Sequence, residues 1–259
     1  MALSENQKDK IKNLLVRKIE HKLERYSRES FSMPFLVRLI QDSEKVAAYS
    51  FIHSVSTTLG MSIYEEVSKI IAEESSEECF TKYDLGGVIS KEQKIVIEEI
   101  VRRLRNKERR VNHEEEIRLV LSASAKEGKI QKEGRIADLY LLREGIEHFF
   151  EIKTVKPNID VFTKSKVKLL EWIARRRKKV RVFLALPYNP YYPHSYERFT
   201  EQGLLEKGKE LLVGDEYWDF LGGKGTFIQL LDLFDLVGKK FKEKIEQKIE
   251  EVAKEKMRY

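Results

Sequence analysis

The sequence contains a single cysteine, Cys79, among 259 residues. One thiol cannot form an intramolecular disulfide, and it cannot build a zinc site from cysteine ligands. The five histidines are scattered without the spacing of metal ligands, so we expect each of them to be structural. A chain without disulfides is typical of a reducing compartment, and the predicted location is therefore the cytoplasm.

Long hydrophobic runs are also missing. No run approaches the roughly 20 apolar residues that cross a bilayer, and the N-terminal MALSENQKDK has no apolar signal core. The glycines at 222, 223 and 225 are not followed by the Gly-Lys-Ser/Thr ending of a phosphate loop. We therefore expect no membrane partner and no nucleotide bound by such a loop.

Charge is abundant but nearly balanced. The chain carries 49 basic and 43 acidic residues, a net charge of +6 and a pI near 9.1. A polyanionic partner is compatible with this excess, but any basic surface has to be local. The length allows one sizeable core, and we expect a single domain, 1–259, with a helical part at 1–80, a core at 81–200 and a strand–helix part at 201–259.

The most informative stretch is 136–156, IADLYLLREGIEHFFEIKTVK. Two apolar runs flank Glu144-Gly145, which is the pattern of an antiparallel hairpin with a two-residue turn. Because side chains alternate along strands, this register places Asp138 directly opposite Glu151, with Lys153 on the same face. Two carboxylates this close in a half-buried sheet repel each other unless a cation or a shared proton relieves them. The hairpin therefore predicts a divalent metal site, although Glu151 and Lys153 could instead be edge-strand charges that deter aggregation, with Asp138 a strand-entry residue.

Helical patterns surround this hairpin. Apolar residues at three- and four-residue spacing predict helices over 5–29, 36–51, 59–74, 91–110, 160–179 and 237–257, while 114–125 is ambiguous between helix and strand. Val180 to Leu186 predicts a buried strand beside the hairpin. On the helix at 59–74, Glu66 lies at the margin of the apolar stripe and Glu65 faces away from it. The C-terminal helix has a narrow stripe that could pack on its own domain or on a second subunit, namely Phe241, Ile245, Ile249 and Val252.

Two segments are candidates for contact with nucleic acid. The helix at 160–179 has recurring basic residues, either a solvated face or a phosphate-binding face. The segment 188–199, YNPYYPHSYERF, is rich in aromatic residues and proline, which fits either a packed loop or a base-contacting loop. Two further candidates, Lys156 and Asn158, follow the hairpin. The predicted DNA-binding residues are therefore Lys156, Asn158, Lys164, Lys168, Arg175, Tyr188, Asn189, Tyr191 and Tyr192.

Asp138 followed by Glu151-Ile152-Lys153 resembles the PD-(D/E)xK nuclease motif, except that Ala137 stands where the motif has proline. Together with GMSIYEE, the strand ending LPYNPY and VGDEYWDFLGG, it resembles type II restriction endonucleases, most closely the TdeIII-type family, from about residue 30 to the C-terminus. The glutamate of the early helix in many such enzymes reaches the metal site. Glu65 best matches the position of this glutamate in the sequence pattern. Glu66 best matches the side of the helix on which this glutamate would lie.

This resemblance implies an α/β fold, a mixed β-sheet flanked by helices, with a helical N-terminal region. It implies Mg²⁺-dependent cleavage of double-stranded DNA at a short site, with Mn²⁺ as a possible substitute, and it suggests GGNCC-like recognition. Asp138, Glu151 and Ile152 would be the metal ligands, Lys153 would orient or help deprotonate the attacking water, and Glu65 or Glu66 would complete the site. A homodimer and a companion methyltransferase are the implied partners.

Three other functions share part of this pattern. A repair or junction-resolving nuclease of the same superfamily would have the same hairpin but prefer branched or damaged DNA. A non-catalytic DNA-binding protein would keep the basic helices without metal-dependent cleavage. A purely structural module would bind neither DNA nor metal, and the converging charges on the hairpin argue against it.

Overall fold

We describe the protein from a computed structural model, which covers residues 3–26, 34–126, 129–130, 134–153, 156–197 and 203–254. Strands in this part of the chain are β1 (Glu78–Asp84), β2 (Val88–Ile89), β3 (Lys129–Ile130), β4 (Ile136–Arg143), β5 (Ile146–Ile152), β6 (Arg181–Leu186) and β7 (Leu211–Val213). The α-helices are α1 (Glu5–Arg25), α2 (Pro34–Ile40), α3 (Ser43–Thr58), α4 (Tyr64–Glu73), α5 (Lys91–Arg105), α6 (His113–Ser122), α7 (Ile159–Arg176), α8 (Asp215–Gly222) and α9 (Thr226–Lys254).

Contacts divide the chain into two compact units. A helical unit contains Leu3–Val67 and Ile228–Tyr259, and a sheet unit contains Ser68–Phe227. The single nuclease domain inferred from the sequence stays a prediction. No helix in the described ranges is long and apolar enough to span a membrane.

The helical unit follows the predicted amphipathic pattern. Ser4 caps α1 by accepting a hydrogen bond from the N–H of Gln7, and Ile11, Leu14 and Leu15 of its apolar stripe are buried. The predicted helix at 36–51 is two helices, because Gln41 has a left-handed φ of 56° and Asp42 caps α3. A π-helical turn, Leu59–Ile63, leads from α3 into α4. On α9, Phe241 and Val252 are buried, so these two residues of the stripe are not available to a second subunit.

The sheet unit is built on a mixed five-stranded sheet in the order β1-β4-β5-β6-β7. Strands β1, β4 and β5 are antiparallel neighbours, whereas β5, β6 and β7 are parallel. Strands β2 and β3 form a separate antiparallel pair. The predicted mixed sheet flanked by helices is confirmed. The ambiguous segment at 114–125 is α6, and β1 and the short β2 were not predicted from the sequence.

Large apolar side chains cover both faces of the sheet. On one face, Tyr140 and Phe149 pack in a buried cluster with Trp172 of α7 and residues of α5 and α6. On the other face, Phe150 packs against Tyr217 and Phe220 of α8. Because side chains alternate, Asp138 and Glu151 project to the same face as Tyr140 and Phe149, beneath α7.

Candidate active site

The hairpin between β4 and β5 has the predicted two-residue turn. Glu144 and Gly145 have φ angles of 52° and 68°, as in a type I′ turn. The register pairs Leu139 with Phe150 and Arg143 with Ile146, as the turn requires. The predicted register is therefore confirmed between Leu139 and Phe150. If this register continues by one residue, Asp138 lies opposite Glu151.

Asp138 is held by the main chain of the neighbouring strand. Its Oδ2 accepts a hydrogen bond of 2.7 Å from the N–H of Ile152. On the β1 side, the register leaves Asp138 opposite Lys82, whose φ of 52° lies in the left-handed region. Burial raises the pKa of the Asp138 carboxyl, and the N–H of Ile152 and the ammonium groups of Lys168 and Lys153 only partly oppose that shift. The carboxylate is therefore fixed in place but costly to ionise without a nearby cation.

Glu151 is buried, and its two carboxylate oxygens have different surroundings. Oε1 lies 2.9 Å from Nζ of Lys153 and 3.7 Å from Nζ of Lys168. Oε2 is buried and has no hydrogen-bond partner among the described residues. A buried, unpartnered carboxylate oxygen is costly, and binding a metal ion is one way to relieve that cost. Oε2 of Glu151 and Oδ1 of Asp138 are thus the oxygens left for a cation, and Ile152 can add only its main-chain carbonyl.

The parallel strands bring further predicted residues to this edge. The N–H of Lys153 donates to the carbonyl of Ala185 at 3.0 Å, so the end of β5 lies beside the end of β6. The aromatic segment follows β6 directly and therefore begins at the same edge of the sheet. Carboxyl ends of parallel strands are where open α/β sheets bind their ligands.

That aromatic segment is partly packed and partly exposed. The side chain of Asn189 accepts from the N–H of Tyr191 at 2.9 Å and donates to the carbonyl of His194 at 2.7 Å, which fixes the loop. Tyr191 lies beneath the ammonium of Lys156, 5.4 Å from its ring centroid. Tyr192 is 82% exposed, and Tyr188 is also exposed. The loop thus combines an internal scaffold with aromatic surface that is free to contact a ligand.

The four residues at the start of α7 and along it that were predicted to bind DNA have different surroundings. Asn158 caps the helix by accepting from the N–H of Val161 at 2.9 Å, and Lys164 is exposed. Lys168 points to Glu151, as described above. Arg175 is buried and donates to the carbonyls of Gly86 and Gly87 at 3.2 and 3.3 Å. The prediction that Arg175 lies on an outer, phosphate-binding face is therefore wrong, because the guanidinium is used to anchor the Gly86-Gly87 loop.

Glu65 and Glu66 lie in the first turn of α4 and belong to the helical unit. The carboxylate of Glu66 is 2.6 Å from Nζ of Lys18 and 3.7 Å from Nη2 of Arg17. Glu66 thus already has cationic partners within its own unit. A role for either glutamate at the hairpin stays a prediction.

A second group of ionisable residues was missed by sequence reasoning. His113, Glu116 and Glu210 offer three possible metal-ligand atoms within 4.8 Å of one another. However, Nζ of the fully buried Lys166 lies 2.5 Å from Glu116 and 2.6 Å from Glu210. Burial opposes ionisation of Glu210, but Lys166 and His113 lower its pKa to about 2. This group already contains its own cation, so we assign it a structural role.

Only the tertiary structure reveals that group. Its members come from α6, α7 and the segment before β7, and each looks like an ordinary surface charge in the sequence. The one local signal is the three-residue spacing of His113 and Glu116, which places them on the same side of a helix.

Comparison with known proteins identifies the family. A family model described as type II restriction endonuclease, HinfI, matches residues 3–238, most of the chain. The chain belongs to this family. This HinfI-family endonuclease is a hydrolase that cleaves DNA, and restriction endonucleases of this kind act on double-stranded DNA.

Relatives of the endonuclease agree with this assignment. The type II restriction enzyme MjaII of Methanocaldococcus jannaschii is 28% identical, over 95% of this chain and 74% of that enzyme. The type II restriction enzyme HgiBI of Herpetosiphon aurantiacus is 27% identical, over 96% of this chain and 99% of that enzyme. HgiEI, from the same organism, is 28% identical over 77% of this chain and 75% of that enzyme. No solved structure matches the chain. The predicted restriction endonuclease is confirmed, but the finer TdeIII-type assignment is not.

Proposed function

We propose that this HinfI-family endonuclease is a PD-(D/E)xK enzyme that cleaves a short specific site in double-stranded DNA by Mg²⁺-dependent phosphodiester hydrolysis. The observation that carries this proposal is the buried Oε2 of Glu151, which has no partner among the described residues, on the residue that the hairpin register sets opposite Asp138. Asp138, Glu151 and the main chain of Ile152 would hold the ion. An all-oxygen ligand set suits Mg²⁺ or Mn²⁺ better than zinc.

Each residue of the site has a distinct task in this proposal. The main-chain N–H of Ile152 fixes Asp138, so that the opposing carboxylates are held ready before any ion binds. When bound, Mg²⁺ acts as a Lewis acid on the scissile phosphate. Lys153 is partly exposed and is paired with Glu151, so its ammonium lies where it can orient the attacking water and offset the negative charge that develops on phosphorus.

The surface beside the site supplies the proposed DNA contacts. Lys156 and Lys164 are exposed and would bind phosphates, which position the duplex without reading its sequence. The loop beginning at Tyr188 would contact bases through the exposed ring of Tyr192. Asn189 is committed to internal hydrogen bonds, so its part is to shape this loop.

Cleavage of both strands at a two-fold symmetric site needs two copies of one active site, and we therefore propose a homodimer. A nuclease of this kind endangers host DNA unless the site is modified. We accordingly place it in a restriction–modification system with a methyltransferase as companion. GGNCC-like recognition remains part of this proposal.

Plasmid digestion tests the proposal and separates it from the other nuclease classes. With Mg²⁺, the protein should cut plain linear plasmid into discrete fragments whose ends share one sequence. A junction-resolving or repair nuclease would leave plain duplex intact and cut branched or damaged DNA instead. A DNA-binding protein without catalysis would retard the plasmid on a gel and leave it uncut.

A further inference from the structure

Lys168 reaches the hairpin site from a different element than Lys153. It lies on α7, and its Nζ is 3.7 Å from Oε1 of Glu151. The side chain is 21% exposed, compared with 37% for Lys153. A lysine on the outer face of a helix would be more exposed and would have no reason to approach a buried carboxylate.

Packing explains why this ammonium stays at the site. Nζ of Lys168 lies 5.1 Å from the ring centroid of Trp172, which is one helical turn later and fully buried. The indole is itself fixed, because its Nε1 donates to the carbonyl of Gly134 at 2.7 Å. A cation over an indole face gains electrostatic stabilisation that grows as the pair loses water. The Lys168 ammonium is therefore held by Trp172 of its own helix as well as by Glu151 of β5.

Both ammonium groups approach the same oxygen of Glu151. Lys153 and Lys168 are near Oε1, while Oε2 is buried without a partner among the described residues. A carboxylate held at one oxygen cannot rotate freely, so the other oxygen keeps a fixed direction. Two ammonium groups also balance the two carboxylates of Asp138 and Glu151 when no metal is bound.

We propose that Lys168 is a positioning residue of the cleavage site, which holds Glu151 by Oε1 so that Oε2 faces the metal ion. This inference rests on the proposed metal-dependent function. The sequence pattern grouped Lys168 with the predicted phosphate-binding residues, and this proposal gives it a different role. Lys153 sits closest to the reaction, and Lys168 acts through Glu151.

The proposal predicts opposite effects on metal binding and on cleavage. The Lys168 ammonium repels a divalent ion, so removing its charge should strengthen metal binding. Coulomb's law gives roughly a tenfold change for one unit charge several ångströms from a divalent ion in a high dielectric. The same change leaves Oε1 of Glu151 held by Lys153 alone, so the carboxylate can rotate more, and cleavage should slow by about tenfold or more even at saturating metal.

The test uses Lys168→Met, which keeps most of the apolar stem over Trp172, and Lys168→Arg, which keeps the charge. Exposed Lys239, paired with Asp235 at 2.6 Å, provides the control Lys239→Met, another lysine ion-paired to a carboxylate. Mn²⁺ affinity is measured by calorimetry on the full chain without DNA, and cleavage is measured in single turnover at saturating Mn²⁺. We expect tighter Mn²⁺ binding with slower cleavage for Lys168→Met, and unchanged Mn²⁺ affinity for Lys168→Arg and Lys239→Met.

Three results would overturn the proposal. Weaker Mn²⁺ binding together with a lower melting temperature would show that Lys168 only supports packing. Unchanged Mn²⁺ affinity together with weaker DNA binding would show that Lys168 binds phosphate, as the sequence pattern predicted. If the wild-type protein binds no Mn²⁺, or if Glu151→Gln binds it as well as wild type, the proposed metal site fails and the role of Lys168 fails with it.

Discussion

Asp138 on β4 accepts a 2.7 Å hydrogen bond from the main-chain N–H of Ile152 on β5. The side chain of Asp138 thus accepts a hydrogen bond that a main-chain carbonyl of β4 would accept in a regular β-ladder. This happens at the end of the hairpin that carries the proposed metal site. This bond orients one carboxylate oxygen and leaves the other available. It also explains how a buried carboxylate with a raised pKa is held in place when no described residue forms an ion pair with it.

Asp138→Asn should separate cleavage from stability. The amide oxygen can still accept from Ile152, but the charge that binds the metal is lost, and we expect cleavage to fall by at least about 100-fold with DNA binding largely intact. Because the folded state raises the pKa of this carboxyl, ionising Asp138 costs stability as the pH rises above the ordinary pKa of aspartate.

Removing that charge should therefore maintain or raise the melting temperature near neutral pH in the absence of metal. Single-turnover cleavage, gel shifts and thermal melts would be compared on the same preparation. A variant that cuts DNA at nearly the wild-type rate would remove Asp138 from the site. A large drop in melting temperature would show that its role is structural.

Lys153→Ala should slow cleavage strongly without weakening metal binding. Its ammonium lies 2.9 Å from Oε1 of Glu151 and repels a divalent ion, so its loss cannot reduce metal affinity by electrostatics. We expect cleavage to fall by at least about 100-fold, the low end for removal of a positioned acid–base or electrostatic group. Single-turnover rates at saturating metal would measure this effect, and a rate within a few-fold of wild type would show that Lys153 takes no part in cleavage.

The sequence predicted the hairpin well because the relevant forces are local. A Glu-Gly pair between alternating strands sets the turn, the turn sets the register, and the register brings Asp138 and Glu151 together. The parallel strand beside the hairpin was also predictable, since Val180 to Leu186 is a short, almost entirely apolar run. These features require no knowledge of distant parts of the chain.

Other features depend on contacts that no local pattern reports. Arg175 looks like one more basic residue of an amphipathic helix, yet the Gly86-Gly87 loop covers it and accepts its hydrogen bonds. Lys166 differs from its neighbour Lys164 only in that α6 and the segment before β7 bring Glu116 and Glu210 to it. Helical periodicity places a residue on a side of its helix but does not say what packs there.

Lys166→Met should destabilise the fold strongly. It would leave Glu116 and Glu210, both fully buried, without the cation that compensates them. Breaking a buried ion pair from one side typically costs about 3–5 kcal/mol. Urea denaturation would measure the free energy of unfolding, with Lys164→Met, an exposed substitution on the same helix, as a control that changes it by less than about 0.5 kcal/mol.

Removing the two buried negative charges should restore stability to the Lys166→Met protein. Adding Glu116→Gln and Glu210→Gln removes the uncompensated charges, and we expect the triple variant to recover a large part of the lost stability. A loss below about 1 kcal/mol for Lys166→Met alone would contradict the view that this ammonium is the internal cation of the group.

His148 should make the protein sensitive to acid. Burial lowers its pKa from 6.5 to about 4, and its Nδ1–H can donate to the carbonyl of Ile146 at 2.8 Å. Between pH 6.5 and 4 the unfolded chain binds a proton that the folded chain does not, so stability falls as the pH drops through this window. In His148→Phe, which keeps the aromatic contact with Phe183, melting temperatures should decline less over that range. Equal declines in both proteins would contradict this assignment.

The most direct test of the account is cleavage of plasmid DNA by the wild-type protein and by Glu151→Gln, in parallel, with Mg²⁺ and with EDTA. The substitution keeps the size of the side chain and removes its negative charge, which the described part of the chain leaves without a hydrogen bond at Oε2. We predict discrete fragments only for the wild-type protein with Mg²⁺, while both proteins still bind the plasmid. Discrete cleavage by Glu151→Gln at the wild-type rate, or cleavage by the wild-type protein in EDTA, would contradict metal-dependent cleavage at this hairpin.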